Sequence, residues 1–126
     1  MTWAQYFDIF RNMESKAAID ALASLAQETR LAVFRLLVRA GPCGLAAGDI
    51  AEALEVPGPT LSFHLRHLTH AGLLGSRREG RSIVYFVNFQ HMQELLAFLT
   101  EDCCQGMAGA RGEVCAPEPR RARPAS

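Results

Sequence analysis

Apolar side chains recur at three- and four-residue intervals along the first part of the chain, the spacing that places them on one face of an α-helix. Gly41-Pro42 and Pro57-Gly58-Pro59 interrupt this pattern, so helices are expected to end or begin there. Ser15 is a candidate N-terminal cap, and Pro59 suits the first position of a helix. The pattern predicts helices over residues 3–13, 15–26, 28–40, 46–55 and 59–70.

The segment from residue 28 to residue 40 shows how such a helix is expected to divide between core and solvent. One face is apolar and is predicted to pack inward, and the opposite face carries arginines. The apolar positions are Leu31, Phe34, Leu37 and Val38. The arginines are Arg30, Arg35 and Arg39.

After Ala71-Gly72 the period of the pattern changes. Residues 73–77 and 82–87 are rich in β-formers and flank a turn over residues 78–81, which predicts a β-hairpin. A last helix is predicted over residues 89–102, and beyond Gly106 the apolar periodicity is lost. We therefore predict a mainly α fold with a small β-hairpin, in one domain over residues 1–105. A flexible C-terminal tail over residues 106–126, which contributes Cys115, is expected to follow.

The first and last predicted helices each have an apolar face that a small helical core does not obviously cover. The simplest cover is a second copy of the chain, so that the terminal helices pack across a two-fold axis. The alternative is that these side chains cover the core of their own chain. The candidate interface residues are Trp3, Phe7, Phe10, Leu95, Phe98 and Leu99.

Two short helices joined by a tight turn and followed by a basic hairpin form a winged helix-turn-helix. The second of these helices is narrow enough to enter a major groove of duplex DNA, where its outward side chains would meet bases and phosphates. Its outward positions are predicted to be Thr60, Ser62, Phe63, His64, Arg66 and His67. In the hairpin, the arginines suited to phosphate or minor-groove contacts are Arg77, Arg78 and Arg81.

The overall charge gives no support to nucleic-acid binding, because 13 basic residues balance 13 acidic ones. The distribution does support it, since arginines dominate between Gly58 and Val87, and a local basic stripe binds phosphates whatever the total charge. The N-terminus lacks the basic start and apolar stretch of a secretory signal, and no apolar run is long enough to span a membrane. We therefore expect a cytoplasmic protein with reduced cysteines and no membrane partner.

Cys103 and Cys104 are adjacent where the last predicted helix ends, and Cys115 follows in the tail. Three thiols arranged in this way suit a small, soft, thiol-seeking ion better than a hard cation. Cys43 has no partner near it in the sequence and is expected to be a small buried residue. His64, His67 and His70 have a spacing that can bind a metal, but their helix face is expected to meet DNA.

The chain resembles the ArsR/SmtB metalloregulators over about residues 18–104, most of its length. The matching segments are Asp49-Ile-Ala-Glu-Ala-Leu, Thr60-Leu-Ser-Phe-His-Leu-Arg-His-Leu, Ala71-Gly-Leu-Leu and Arg78-Glu-Gly-Arg-Ser-Ile-Val-Tyr. The resemblance implies a homodimeric repressor that binds an inverted repeat in operator DNA and releases it when a toxic ion binds. Pro57-Gly58-Pro59 departs from the Ser-Gln-Ser or Ser-Gln-Pro of many relatives and lacks their polar cap.

Members of this family place inducer sites in several locations, and most of these are absent here. The arsenical pattern Cys-Val-Cys-Asp is replaced by residues 46–49, which hold no cysteine, and no cysteine precedes Cys43. The zinc site of the last helix would have only His91. The cysteine pair resembles that of arsenite repressors with thiols at the end of the last helix. Trivalent arsenic or antimony would take three thiolates, and methylarsenite would need only Cys103 and Cys104.

Two other functions use the same thiols. A redox-responsive repressor would form a reversible disulfide between them. An arsenic-handling enzyme or metallochaperone would use them for arsenic transfer or reduction. An arsenate reductase would need an anion-cradling loop and a low-pKa nucleophilic cysteine, and no phosphate-type loop lies near Cys103. We therefore predict that the protein is not an enzyme.

Overall fold

The computed structural model describes residues 13–102. The predicted helix over residues 3–13 with Trp3, Phe7 and Phe10, the three cysteines after residue 102 and the predicted tail therefore lie outside the described residues, apart from Met13. The helices are α1 (Ser15–Leu25), α2 (Glu28–Ala40), α3 (Ala47–Leu54), α4 (Gly58–His70) and α5 (Phe89–Leu99). The strands are β1 (Leu45–Ala46), β2 (Leu74–Glu79) and β3 (Ser82–Val87), with a 3-10 turn at Gly41–Cys43.

This order of elements is the predicted winged helix-turn-helix, with α3 and α4 as the paired helices and β2 and β3 as the wing. The three strands form one antiparallel sheet in the order β1-β3-β2. In the wing, Leu74 pairs with Val87 and Glu79 pairs with Ser82, so the hairpin is longer than predicted and turns at Gly80 and Arg81. No helix within residues 13–102 combines the length and apolar character that crossing a bilayer requires.

Helix boundaries follow the sequence pattern closely, and α1 and α3 end or begin within one residue of their predicted bounds. Glu14 occupies the cap position of α1, so the prediction of Ser15 as the cap is wrong. Helix α4 begins at Gly58, one residue before the predicted start. Helix α5 ends at Leu99 rather than Asp102, because Thr100 leaves the helical conformation and its hydroxyl donates to the Leu96 carbonyl at 2.8 Å.

The core lies where α2 and α4 pack against each other and against the sheet. Leu61, Leu65 and Leu68 of α4 are almost completely buried, as their spacing predicts. Helix α2 is rotated from its predicted orientation. Val33 lies in the core, whereas Leu31 and Val38 keep 43% and 36% of their surface exposed.

The two terminal helices of the described region, α1 and α5, pack against each other. Leu95 of α5 is buried in the core of its own chain, so the prediction that it forms a subunit interface is wrong. Phe98 packs partly against the same core, and Leu99 remains 52% exposed.

The turn between α3 and α4 contains a strained residue. Glu55 has φ 53° and ψ 47°, a left-handed conformation that costs a residue with a Cβ about 1–2 kcal/mol. The turn needs this conformation because it lets the Val56 N–H donate to the Ala51 carbonyl at 3.0 Å, which closes α3 before α4 begins.

Replacing Glu55 with glycine is therefore expected to raise the free energy of unfolding by about 0.5–1 kcal/mol, because glycine adopts this conformation without the Cβ clash. Urea denaturation at fixed protein concentration measures the change. The matched control is Glu52→Gly, an exposed position inside α3, which should lower the free energy of unfolding by about 1 kcal/mol. A loss of stability in both variants would show that the left-handed turn carries no strain.

Candidate nucleic-acid interface

Helix α4 presents a polar and aromatic surface opposite its leucine face. Thr60, Ser62, Phe63, Arg66 and His67 are exposed, as predicted for side chains that meet DNA. Phe63 is the most apolar of them and keeps 57% of its surface exposed. Hydroxyl, guanidinium and imidazole groups on one helix surface can donate to phosphates and to base edges.

His64 does not belong to this surface. Only 8% of it is exposed, so the prediction that it faces outward is wrong. The physical reason is its position between Leu61 and Leu68, since residues at such spacing share the buried stripe of a helix. Its Nδ1 lies 3.3 Å from Nη1 of Arg30, and the ring of Phe63 covers it edge-on.

The environment of His64 disfavours its charged form. Burial is the main cause that lowers its pKa below the ordinary value, followed by the positive charge of Arg30 and then by His67. The imidazole is therefore neutral near neutral pH.

The sequence pattern does not reveal the role of Arg30 in this region. It was expected on the solvated face of α2, but its Nε donates to the Ser24 carbonyl at 2.7 Å while Nη1 reaches His64. The distance of 34 residues between Arg30 and His64 explains why helical periodicity alone does not reveal the pair.

The N-terminus of α4 has no side-chain cap. Pro57 occupies the cap position and cannot accept through its side chain, which agrees with the expected loss of the polar cap in this chain. The first-turn N–H groups are thus left without a side-chain partner within residues 13–102, and such helix ends favour phosphate oxygens.

The wing arginines divide into two groups. Arg77 is held within the protein, because Nη2 donates to the Cys43 carbonyl and Nε to Glu79, both at 2.6 Å, and the guanidinium lies 5.6 Å from the Phe86 ring centre. Arg78 and Arg81 are exposed, and their side chains make no hydrogen bond or ion pair with other residues of the described range. Arg77 therefore fixes the wing, and Arg78 and Arg81 are the arginines available to phosphates.

An open groove of about 360 Å³ lies between α1 and α4. His67 and His70 line it together with Arg66 and with Asp20 of α1. His64 turns away from this groove into the core, so the three histidines do not converge on one point. Within residues 13–102, no group of three or more His, Cys, Asp or Glu side chains is placed to hold a metal ion.

The thiols are placed as follows. Cys43 is exposed in the 3-10 turn, so the prediction that it is buried is wrong. Cys103, Cys104 and Cys115 lie outside the described residues. The described part of α5 ends at Leu99, four positions before Cys103 in the sequence.

The comparisons with known proteins agree with this geometry. A family model described as a helix-turn-helix domain matches residues 25–77. The transcriptional regulator NmtR of Mycobacterium tuberculosis is 38% identical over 87 residues, which are 67% of this chain and 70% of that protein. The arsenic resistance transcriptional regulator ArsR1 of Pseudomonas putida is 32% identical over 97 residues, covering 77% and 70% of the two chains.

A solved structure shares the fold. An ArsR-like transcriptional regulator from Rhodococcus sp. RHA1 superposes with a TM-score of 0.60 and 26% identity, over 67% of this chain and 76% of that one. These relatives are transcriptional regulators and not enzymes, as expected here. Together with the exposed surface of α4 and the basic wing, they establish that the chain belongs to the ArsR/SmtB family of winged helix-turn-helix transcriptional regulators.

Proposed function

We propose that this protein is a homodimeric repressor that binds operator DNA and dissociates when trivalent arsenic binds the thiolates of Cys103, Cys104 and Cys115. The adjacency of Cys103 and Cys104 in the sequence, beginning four positions after the end of α5, is the observation that carries the proposal. The described residues offer no competing metal-binding cluster. The name of the relative ArsR1, an arsenic resistance regulator, adds support.

Thiol chemistry determines which inducers fit. Arsenite and antimonite each accept three soft thiolate ligands, whereas a structural zinc site generally has four. Methylarsenite carries one carbon substituent and needs two thiolates, which Cys103 and Cys104 provide. The release of DNA by a Cys115 variant therefore shows whether the site binds the inorganic ion through three thiolates or the methylated form through two.

A contact between α5 and the turn after α4 connects the proposed ion site with the DNA-reading helix. His91 of α5 packs against Gly72, at the turn that follows α4, and a Cβ on Gly72 would lie 2.8 Å from His91 Nε2. Gly72 also has φ +87°, so another residue is disfavoured there both by space and by conformation. We infer that movement of α5 is transmitted at this contact, because the His91 ring lies close against the Gly72 backbone.

The homodimer in this proposal is supported by exposed apolar side chains on two adjacent helices. Ile19 and Leu22 of α1 are 63% and 41% exposed, and Leu96 and Leu99 of α5 are 53% and 52% exposed. Exposed leucines on neighbouring helices fit a subunit interface. A two-fold axis would then present two α4 helices to successive major grooves of an inverted repeat.

Replacing Leu96 with aspartate is expected to weaken the dimer by roughly a hundredfold, because the symmetric interface loses an apolar contact twice and gains two desolvated charges. Light scattering after size exclusion, over a range of concentrations, measures the change. Val38→Asp, at an apolar position of α2 with 36% exposure, is the matched control and should leave the mass unchanged. An unchanged dimer in Leu96→Asp would place the interface elsewhere.

The phosphate role of the wing is tested by Arg78→Ala. We expect it to weaken DNA binding at least several-fold and to reduce the slope of log affinity against log salt by about two, because each of the two protomers loses one phosphate contact. The probe is a duplex of about 30 base pairs selected by the wild-type protein from a random pool, long enough for two half-sites. The control is Arg35→Ala, exposed on α2, which should change neither quantity. Equal salt slopes for wild type and Arg78→Ala would remove Arg78 from the interface.

The thiol switch is tested by the same binding assay with arsenite added to fully reduced protein. Release from DNA is expected in the wild type and in Cys43→Ser, and it should be lost in Cys103→Ser, Cys104→Ser and Cys115→Ser. If Cys115→Ser still responds, the pair alone is the site and methylarsenite is the better inducer. If arsenite releases nothing and an oxidant does, the redox-responsive repressor replaces this proposal.

A further inference from the structure

A single guanidinium connects the end of α1 with the buried side of the DNA-reading helix. Arg30 Nε donates to the Ser24 carbonyl at 2.7 Å, and Arg30 Nη1 lies 3.3 Å from His64 Nδ1. Gln27 caps α2 by accepting from the Arg30 backbone N–H at 2.8 Å, so Arg30 is held at both its backbone and its side chain. Three helices therefore meet at this arginine.

The contact defines the protonation state of His64. A guanidinium has only donors, so His64 Nδ1 accepts and must be unprotonated, which leaves the proton on Nε2. Protonating Nδ1 would remove the acceptor and place an imidazolium beside a guanidinium in a site that is 8% exposed. The contact exists only with neutral His64.

The surrounding charges do not compensate for such a protonation. Arg30 on α2 and His67 on α4 itself both lower the pKa of His64, after burial. Asp20 of α1 lines the groove with His67 and His70, and His64 does not line it. Asp49 and Glu52 of α3 and Arg77, Arg78 and Glu79 of β2 are not among the causes of the shift.

We propose that Arg30 and His64 form a positioning contact that holds α4 in its DNA-reading orientation only while His64 is neutral, so that acidification weakens DNA binding. The inference rests on the proposed DNA-binding function. To hydrate a charged His64, α4 must rotate or move away from Arg30. Either movement redirects Ser62 and Phe63, which lie on the same helix.

The direction of the effect follows from proton linkage. We call the orientation of α4 in contact with Arg30 the reading conformation and the one that has moved away from Arg30 the released conformation. Because the pKa of His64 is lowered in the reading conformation, the released conformation binds the proton more tightly. The contribution of the contact is therefore complete above about pH 6.5, the ordinary histidine value, and is lost as the pH falls through the lowered pKa of His64.

The test compares DNA affinity at about pH 7.5 and about pH 5.5, at constant ionic strength, for wild type, His64→Asn and a control. Asparagine offers Arg30 an amide oxygen and does not titrate. The ratio of the two affinities is compared between proteins, so that any effect of pH common to all of them cancels. The probe is the selected duplex used for the wing variants.

For each reading helix we expect acidification to cost the wild type about three- to tenfold more affinity than His64→Asn, because one proton per His64 can change the affinity by at most about tenfold over the pH unit below the ordinary value. A dimer with two reading helices is therefore expected to lose about ten- to a hundredfold more. The matched control His70→Asn, exposed on the same helix, should show a loss at least as large as that of the wild type. Equal losses in wild type and His64→Asn overturn the inference while DNA binding itself stands. Absence of wild-type binding at the higher pH overturns both.

Nitrogen NMR of the wild-type histidines tests the inference without DNA and without relying on a variant that must fold. We expect His64 Nδ1 to be mostly unprotonated at about pH 6.5, the ordinary histidine value, because burial and Arg30 lower its pKa. Half-protonation of His64 at or above about pH 6.5 would overturn the inference.

Discussion

Helix α4 buries one side in a small core and, in the proposed function, presents the other to DNA, and most of the structure follows from that division. Its 13 residues provide little more than three turns, so each residue belongs almost wholly to one side. Leu61, Leu65 and Leu68 fix the rotation of the helix against α2 and the sheet. That rotation in turn exposes Ser62, Phe63 and Arg66, so the reading surface depends directly on the quality of the core.

Two polar contacts refine an orientation that apolar packing leaves approximate. Leucine side chains tolerate small rotations at modest cost, whereas a hydrogen bond weakens quickly with distance and angle. Arg30 fixes the buried side of α4 through His64, and Arg77 fixes the wing through the Cys43 carbonyl. The sequence assigns both arginines to solvent or to phosphate contacts. In the structure, both instead align the elements that are proposed to contact DNA.

The sequence predicted the fold well where the signal was local. The bounds of α2, the leucine stripe of α4 and the hairpin all follow from spacing, proline and glycine within a few residues. The rest depends on contacts distant in sequence. Strand β1 has only two residues, too few for alternation, and exists because it pairs with Tyr85 and Val84. The position of His64 was predicted wrongly because histidine side chains usually lie on the polar surface, and because its partner Arg30 lies on another helix.

The proposed inducer site lies beyond α5, whereas the proposed proton site lies beneath α4, and both would act on the same reading helix. An effector changes DNA affinity only by the difference between its affinities for the reading and released orientations, typically about 1–3 kcal/mol. Two effectors that favour one released orientation assist each other, since the second no longer has to break the contacts that the first has already broken. Acidification would then lower the concentration of arsenite needed for release. If the two instead produced different movements of α4, one by way of Gly72 and the other by way of Arg30, their effects on the free energy of DNA binding would be independent. The separation of these two contacts, at the C-terminal turn and in the middle of one short helix, makes a shared rigid rotation the simpler mechanism.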